Sequence, residues 1–163
     1  MNFKKTMVAV AAQLLLVGGA YAQTCTPTAG VLNDGTGTIN VNTCSSTNQL
    51  LSACNGLDAI GASPDTIYSV QIGAAATGSI GATPTGYDLK LALLQGTCTA
   101  GSTCIRDADN AGAGGAESFS VAGLPAGGYF VLLTSFGGSP DCGATSLTVT
   151  PLMPVTLQNF SIN

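Results

Sequence analysis

The fold prediction depends most on one stretch of the sequence, Gly128-Tyr-Phe-Val-Leu-Leu-Thr-Ser-Phe136. In an extended chain, its apolar side chains fall on both faces. One face holds Tyr129, Val131 and Leu133, and the other holds Phe130 and Leu132. A strand that is apolar on both faces is typical of the interior of a sheet with both sides covered. We therefore predict that 128–136 is a central strand.

Outward from this stretch, shorter runs alternate apolar with polar residues, which is the pattern of strands. The clearest runs are Tyr68–Ile72, Leu89–Leu93, Phe119–Val121 and Leu147–Val149. Turns rich in Gly, Pro and Asp separate the runs. The pattern predicts an all-β fold, an antiparallel β-sandwich of about seven to nine strands. Only 44–57 has weak helical character.

The first 22 residues have the pattern of a secretory signal peptide. Lys4 and Lys5 precede an apolar run from Met7 to Ala20, and the sequence Ala20-Tyr-Ala22 is a small-x-small cleavage site. A membrane anchor is the alternative, but the run is short for a bilayer span of about 20 residues. We expect an exported chain that begins at Gln23 and has no membrane span.

Charge and composition exclude several classes of function. After cleavage, Lys90 and Arg106 are the only basic residues, against eight acidic ones. Two separated cations cannot neutralise a row of phosphates, so we expect no nucleic-acid binding and no binding to an anionic membrane surface. The sequence has no histidine, which removes the usual base of Ser-His and Cys-His catalysis. We therefore expect that the protein is not an enzyme.

All six cysteines lie in the mature part: Cys25, Cys44, Cys54, Cys98, Cys104 and Cys142. An even count behind a signal peptide predicts disulfides formed in an oxidising compartment. Short intervening loops favour the pairs Cys44–Cys54 and Cys98–Cys104, and elimination leaves Cys25–Cys142. A thiolate metal cluster is the alternative, and the absence of any C-x-x-C pair disfavours it.

The segment Asp107-Ala-Asp109-Asn-Ala-Gly112 is the best local candidate for chemistry. Its alternating oxygen donors suit Ca²⁺, a hard cation that takes about six to eight oxygen ligands. Asp88 and Asp65, in neighbouring segments, are the candidate supporting ligands. The alternative is a solvated acidic turn in which Asp and Asn side chains bond their own backbone.

Other polar and aromatic residues are weaker candidates. Glu117 is the only glutamate, and nothing in the sequence selects a second carboxylate for a glycosidase pair. Lys90 alternates with the leucines of its strand, so we expect it at the surface and not beside a catalytic serine. Four aromatic residues are expected in the core, with the lining of a ligand groove as the alternative: Tyr68, Tyr87, Phe130 and Phe136.

The C-terminal residues 151–163 form a separate tail. Pro151 and Pro154 interrupt the preceding strand, and Val155–Ile162 is strand-like. We favour a last strand of the same sandwich, since most strands pair within their own domain. The alternative is an extended segment that pairs with another chain by strand addition.

Three motifs in 36–150 carry a family resemblance. In chain order they are the strand Asp88-Leu-Lys-Leu91, the pair Asp107 and Asp109 after the Cys98 and Cys104 loop, and the turn Leu124-Pro-Ala-Gly-Gly-Tyr129. Together they resemble the bacterial pre-peptidase C-terminal (PPC) domain. The resemblance implies a secreted, non-catalytic β-sandwich with a jelly-roll-like arrangement. It also implies a place beside exported enzymes, with calcium binding or attachment to insoluble substrates in some members.

We therefore divide the chain into a signal peptide (1–22), an N-terminal segment (23–35), a PPC-like domain (36–150) and the tail (151–163). The expected function is that of a bacterial binding or accessory module, extracellular or periplasmic and stabilised by calcium. Its expected partner is an unidentified extracellular protein or polymer. The alternative is a structural subunit of an extracellular fibre or matrix that self-associates by strand addition.

Overall fold

The computed structural model describes residues 26–27, 29–32, 37–50, 63–99, 102–136 and 141–152. Within these ranges, nine strands and one short 3-10 turn form two packed sheets. The strands are β1 (Gly30–Leu32), β2 (Gly37–Asn42), β3 (Thr66–Ile72), β4 (Ser79–Pro84), β5 (Leu89–Gln95), β6 (Cys104–Ala108), β7 (Glu117–Ser120), β8 (Gly127–Ser135) and β9 (Ala144–Val149). The 3-10 turn is Thr43–Ser45.

The two sheets confirm the predicted antiparallel β-sandwich. One has five strands in the order β1-β3-β8-β5-β6, and the other has four in the order β2-β9-β4-β7. Neighbouring strands are antiparallel except for β1, which runs parallel to β3. Among the described strands, β1 and β2 end the two sheets on one side of the sandwich, and β6 and β7 end them on the other.

The central strand is β8, as the sequence predicts. It lies between β3 and β5, and its two faces enter two different cores. Tyr129, Val131 and Leu133 pack into the large core between the sheets. Leu132 and Phe130 pack on the outer face of the five-stranded sheet, in a smaller core with Leu50, Ile67, Ala92, Leu94, Cys98 and Cys104.

One disulfide corrects the pairing expected from loop lengths. Cys44 is bonded to Cys142, so the predicted pairs Cys44–Cys54 and Cys25–Cys142 are wrong. The reason is strand register: Asn42 of β2 lies opposite Ala144 of β9, which brings the two cysteines to the same end of the β2–β9 ladder. Loop length carries no information about such a distant pairing.

The other cysteines leave part of that prediction open. Cys98 and Cys104 are each disulfide-bonded, and their pairing with each other stays a prediction. Cys25 and Cys54 lie outside the described residues, as does the strand-like segment Val155–Ile162.

The sandwich extends past the expected domain limits of 36–150. At the N-terminal side, Gly30–Leu32 forms strand β1. At the C-terminal side, Leu152 is fully buried in the large core. Weak helical character was expected for 44–57, and the described part of this segment holds only the end of the 3-10 turn. None of the described residues forms a helix long and apolar enough to cross a membrane.

Candidate functional site

A recess of about 320 Å³ opens between the two sheets on the side where β1 and β2 end them. We call this side the β1/β2 edge and the cavity the edge recess. Its lining carries hydroxyl, amide and apolar groups and no charge: Ala29, Val41, Asn42, Ser45, Ser46, Thr47, Thr66 and Tyr68. Such a lining suits a neutral occupant with both apolar and hydrogen-bonding groups.

Tyr68 and Thr66 reach the edge recess from β3. Both point between the sheets because alternate residues of a strand share a face, and both are buried. Burial raises the pKa of the Tyr68 phenol by disfavouring its charged form. Tyr68 therefore stays neutral at physiological pH. Of the four aromatic residues noted in the sequence, it alone lines the recess.

Short hydrogen bonds and the disulfide fix the rim of the edge recess. The hydroxyls of Ser46 and Thr66 are 2.8 Å apart, and the Asn42 side chain accepts the Cys44 N–H at 3.0 Å. Beside the Cys44–Cys142 bridge, the Thr43 N–H donates to Gly143 O, and the Gly143 N–H donates to the Thr43 side-chain Oγ1. These contacts join the rim to β9, so the recess is preformed.

In the described part of the chain, the β1/β2 edge has no charge and no proline to protect it, and the shortness of β1, at three residues, is its one protective feature. An edge strand presents unpaired N–H and C=O groups, and natural proteins guard such edges with charges, prolines or bulges. Neither Gly30–Leu32 nor Gly37–Asn42 contains a charge or a proline. Val31 is 61% exposed, one of two large exposed hydrophobic residues in the described part of the chain.

The opposite edge is protected. Strand β6 carries Arg106 and Asp107, and β7 begins with Glu117. The β5–β6 ladder also shifts register between Leu93 and Leu94. Charges and a bulge both oppose the addition of another strand. The contrast makes the β1/β2 edge the better candidate for a binding surface.

Lys90 is the clearest departure from the sequence-based expectation. It is only 2% exposed, whereas its alternation with leucines predicted a surface position. Its Nζ lies 3.6 Å from Asp109 Oδ2 and 5.8 Å from the centroid of the Phe136 ring. The expectation was wrong because β5 lies inside a sheet whose outer face is also covered. Alternation shows which residues share a face, but not whether that face meets water.

The predicted calcium ligands are divided by the fold. Strand order places Asp65, just before β3, three strand spacings from Asp109, which follows β6. At about 4.8 Å per spacing this is roughly 14 Å, too far for one ion to bind both. Asp88 lies near Asp109: burial is the main cause that raises the pKa of the Asp109 carboxyl, and the charge of Asp88 adds to it. The described residues hold no group of three or more His, Cys, Asp or Glu side chains arranged for a metal.

The acidic side chains of this face have protein partners. Burial is the main cause that raises the pKa of Asp109, and the charge of Lys90 opposes it. Burial also raises the pKa of Asp65, although the N–H groups of Leu50 and Gln49 donate to its Oδ2 at 2.6 and 2.7 Å. Asp88 and Asp65 each also keep a buried Oδ1 that has no hydrogen-bond partner among the described residues.

Glu117 holds the turn that follows Asp109, in the segment predicted to bind calcium. Its Oε1 accepts the backbone N–H groups of Asn110 at 2.9 Å and Ala111 at 2.6 Å. A carboxylate inside the protein therefore satisfies the turn that follows Asp109. This resembles the solvated-turn alternative, except that the acceptor comes from a neighbouring strand.

The remaining aromatic residues have structural positions. The buried hydroxyl of Tyr87 lies 2.6 Å from that of Thr145. Phe130 packs against the smaller core, and Phe136 is 43% exposed beside Lys90. No sequence motif predicts the edge recess. Its lining comes from three separate segments, and half of the lining residues are Ser or Thr, which are common throughout the sequence.

Comparisons with known proteins concern the fold. No family model matches the chain, and neither does any curated protein. Among solved structures, the chain is similar to the pre-peptidase C-terminal domain of collagenase from Bacillus anthracis. The match has 13% sequence identity and a TM-score of 0.43, and it covers 74% of this chain and 90% of that one. The two sheets themselves establish the β-sandwich. The order of motifs in the sequence resembles the same family.

Proposed function

We propose that the protein is a secreted, non-catalytic binding module whose binding surface is the β1/β2 edge. The observation that carries the proposal is an unguarded edge on both sheets with a neutral recess between them. The occupant that fits is an extended segment of an extracellular protein. Its main chain would pair with the edge strand, and an apolar side chain would enter the recess beside Val41 and Tyr68.

Three features support a role in binding over one in catalysis. The chain contains no histidine. Lys90, the residue closest in type to a catalytic amine, is paired with Asp109. Glu117, the only glutamate, already accepts two backbone N–H groups. The signal-peptide pattern and the disulfide support an extracellular or periplasmic location.

A labelled strand-forming peptide tests the binding surface. We would titrate the mature protein, at nanomolar concentration, with a fluorescein-labelled ten-residue peptide of alternating Thr and Val and follow anisotropy. We expect saturable binding that Val31→Lys weakens at least tenfold, because a charge on an edge strand opposes pairing. Ser118→Lys is the matched control, since Ser118 is exposed on the opposite edge strand β7. Equal weakening by both variants would contradict the proposed surface.

Calcium remains part of the proposal, with a smaller ligand set. We propose Asp88 and Asp109 as its carboxylate ligands, supported by the unpartnered Oδ1 of Asp88 close to Asp109. A contribution from Asp107 stays a prediction of the sequence, because the described residues hold no group of three such side chains. Asp65 is left out because of its distance across the sheet. A bound Ca²⁺ would stabilise the folded chain, and it would have no part in contacts at the β1/β2 edge.

A structural subunit of a fibre or matrix is the second candidate function. It would use the same unguarded edge, with another copy of this chain in place of a foreign protein. The observation that favours it is the position at which the described chain ends, beside β3 and close to that edge.

A further inference from the structure

We infer that the occupant of the β1/β2 edge is the C-terminal segment of a second copy of this chain, residues 153–163. The inference rests on the proposed function, because it names the partner of the same surface. It combines the path of the chain up to Leu152, the composition of the segment beyond it, and the chemistry of the acceptor edge.

The last described residues carry the chain from one sheet to the other. The Thr150 N–H donates to Ser79 O at 3.0 Å, at the start of β4 in the four-stranded sheet. Two residues later, Leu152 O accepts the N–H of Gly73, which directly follows β3 in the five-stranded sheet, at 2.9 Å. The last described residue, Leu152, therefore lies beside β3, the only neighbour of β1 among the described strands.

The crossing is tightly packed up to Leu152. The Leu152 side chain is fully buried in the large core. Gly78 lies so close to the backbone of Pro151 that an added Cβ would overlap the Pro151 carbonyl. The body of the sandwich thus fixes the point from which the tail starts.

The edge recess lies at the opposite end of the β1/β2 edge from Leu152, the last described residue. The edge recess is lined by Thr66 and Tyr68, at the beginning of β3, whereas the tail starts beside Gly73, after its end. Leu32, where β1 ends, and Gly37, where β2 begins, both lie at the end of the sandwich where the described chain ends, because Leu32 pairs with Val70 and Gly37 with Val149. A tail from the same copy would therefore start at the end of the edge where β1 stops and β2 begins, whereas the tail of a second copy can enter from the end that holds the recess.

The tail has the composition of a donor strand. Residues 153–163 read Met-Pro-Val-Thr-Leu-Gln-Asn-Phe-Ser-Ile-Asn, with no charge and with two apolar pairs at alternate positions. The pairs are Val155 with Leu157, and Phe160 with Ile162. Alternate side chains of an added strand enter the acceptor's groove, and main-chain bonds supply the rest of the contact.

Such a contact is heterologous, since the tail of one copy meets the edge of another. Two copies joined in this way still have one free tail and one free edge between them. Association therefore continues into open chains unless a ring closes. The expected product is a head-to-tail polymer.

Two full-length variants test the inference in one mixing experiment. The edge variant carries Val31→Lys and Val41→Lys, which place charges on β1 and in the recess. The tail variant carries Leu157→Asp and Phe160→Asp, one from each alternate set. We would measure molar mass by sedimentation for each mature protein, for the wild type, and for an equimolar mixture. Ser118→Lys in the wild-type background is the control for added charge.

We expect the wild type and Ser118→Lys to form species whose mass grows with concentration, and each edge or tail variant alone to stay monomeric. The mixture should form a dimer and nothing larger, because only one intact edge and one intact tail remain to pair. A monomeric wild type, or a mixture that stays monomeric, would overturn the inference. Thermal melting of each variant confirms that a monomer is folded, and Val31→Lys alone, at an exposed site, replaces the double edge variant if that one unfolds.

The same proteins distinguish this inference from the proposed function. The tail variant leaves the edge free, so the Thr/Val peptide should bind to it. Peptide binding without dimer formation in the mixture would refute the second copy as partner and leave the binding module standing. Absence of peptide binding to the tail variant would refute the edge as a binding surface altogether.

Discussion

Lys90 is a charged side chain that is buried beside a partly exposed counterion. Its ammonium group lies between the Asp109 carboxylate and the Phe136 ring, and its side chain is 3% exposed. Replacing Lys90 with Met leaves Asp109 without its cation. Because Asp109 is partly exposed, we expect a loss of about 1–3 kcal/mol in the free energy of unfolding, below the roughly 3–5 kcal/mol typical of a broken fully buried pair.

A double-mutant cycle measures that pair. Lys90→Met with Asp109→Asn removes both charges, so urea unfolding should show that the two losses are not additive and that the double variant recovers part of the stability. Simple additivity would mean that the 3.6 Å contact contributes nothing.

Asp65 predicts a pH dependence of opposite sign to that of most acids. Burial raises its folded pKa above the ordinary value of an aspartic acid, about 3.9. Between these two values the folded state holds a proton that the unfolded state has lost, so stability rises as pH falls through the folded pKa. Relative to Asp65→Asn, the wild type should gain stability between pH 7 and about pH 4 in urea titrations. A relative loss on acidification would show that the amides of Leu50 and Gln49 outweigh burial.

At the scale of elements, sequence reasoning succeeded where the signal was local. Strand β8 was predicted as central because its residues are apolar on both faces, and the short alternating runs became β3, β5, β7 and β9. It failed for the partner of Cys44, because that partner depends on the β2–β9 register across 98 residues. Of the edge recess it indicated only Tyr68, as one of four aromatic residues that could line a groove, because the rest of the lining assembles only when two sheets stack.

The Cys44–Cys142 bridge predicts the outcome of peptide mapping and of its removal. Digestion without reduction should release one peptide pair joined through these cysteines, and a Cys44–Cys54 pair would contradict the register. Because the bridge closes a loop of 98 residues, changing both cysteines to Ser should lower stability by about 4–5 kcal/mol in the chain-entropy model. Matched urea unfolding curves of the wild type and the double variant measure this loss.

The crossing from β9 to β3 predicts a position-specific effect of adding one methyl group. Gly78→Ala places a Cβ against the Pro151 carbonyl, and we expect a loss of about 1–3 kcal/mol, as for other overpacked sites. Gly112→Ala is the matched control, since an added Cβ there has no atom within 4 Å. Thermal melts of the two variants should therefore differ clearly, and equal melting temperatures would refute the close packing at Gly78.

At the scale of the whole molecule, calcium and assembly make separate predictions. If Ca²⁺ binds only the folded chain, saturation at 100 times the dissociation constant stabilises it by about 2.7 kcal/mol. The melting temperature should then rise with added Ca²⁺, return with EDTA, and stay unchanged in Asp88→Asn. That variant keeps the Lys90–Asp109 pair, so a missing response reports on the ion. An equal response in the wild type and Asp88→Asn would remove Asp88 from the ligand set.

The tail gives the last prediction, and the structure fixes where the chain must be cut to test it. A chain ending at Pro151 loses the buried Leu152 side chain and the hydrogen bond from Gly73 to Leu152 O. It should be less stable by about 2–5 kcal/mol, the cost of deleting a large core side chain. A chain ending at Met153 keeps both contacts, so it should melt within a few degrees of the full-length monomer while losing the ability to assemble.

The pair of truncations separates the two interpretations of 155–162. An ordinary last strand of this sandwich would make both chains clearly less stable than the full-length protein, because its removal exposes core in each. If 155–162 is a donor strand for a neighbouring copy, removing Leu152 lowers the stability of the monomer, whereas removing only the residues after Met153 abolishes assembly and leaves the stability unchanged.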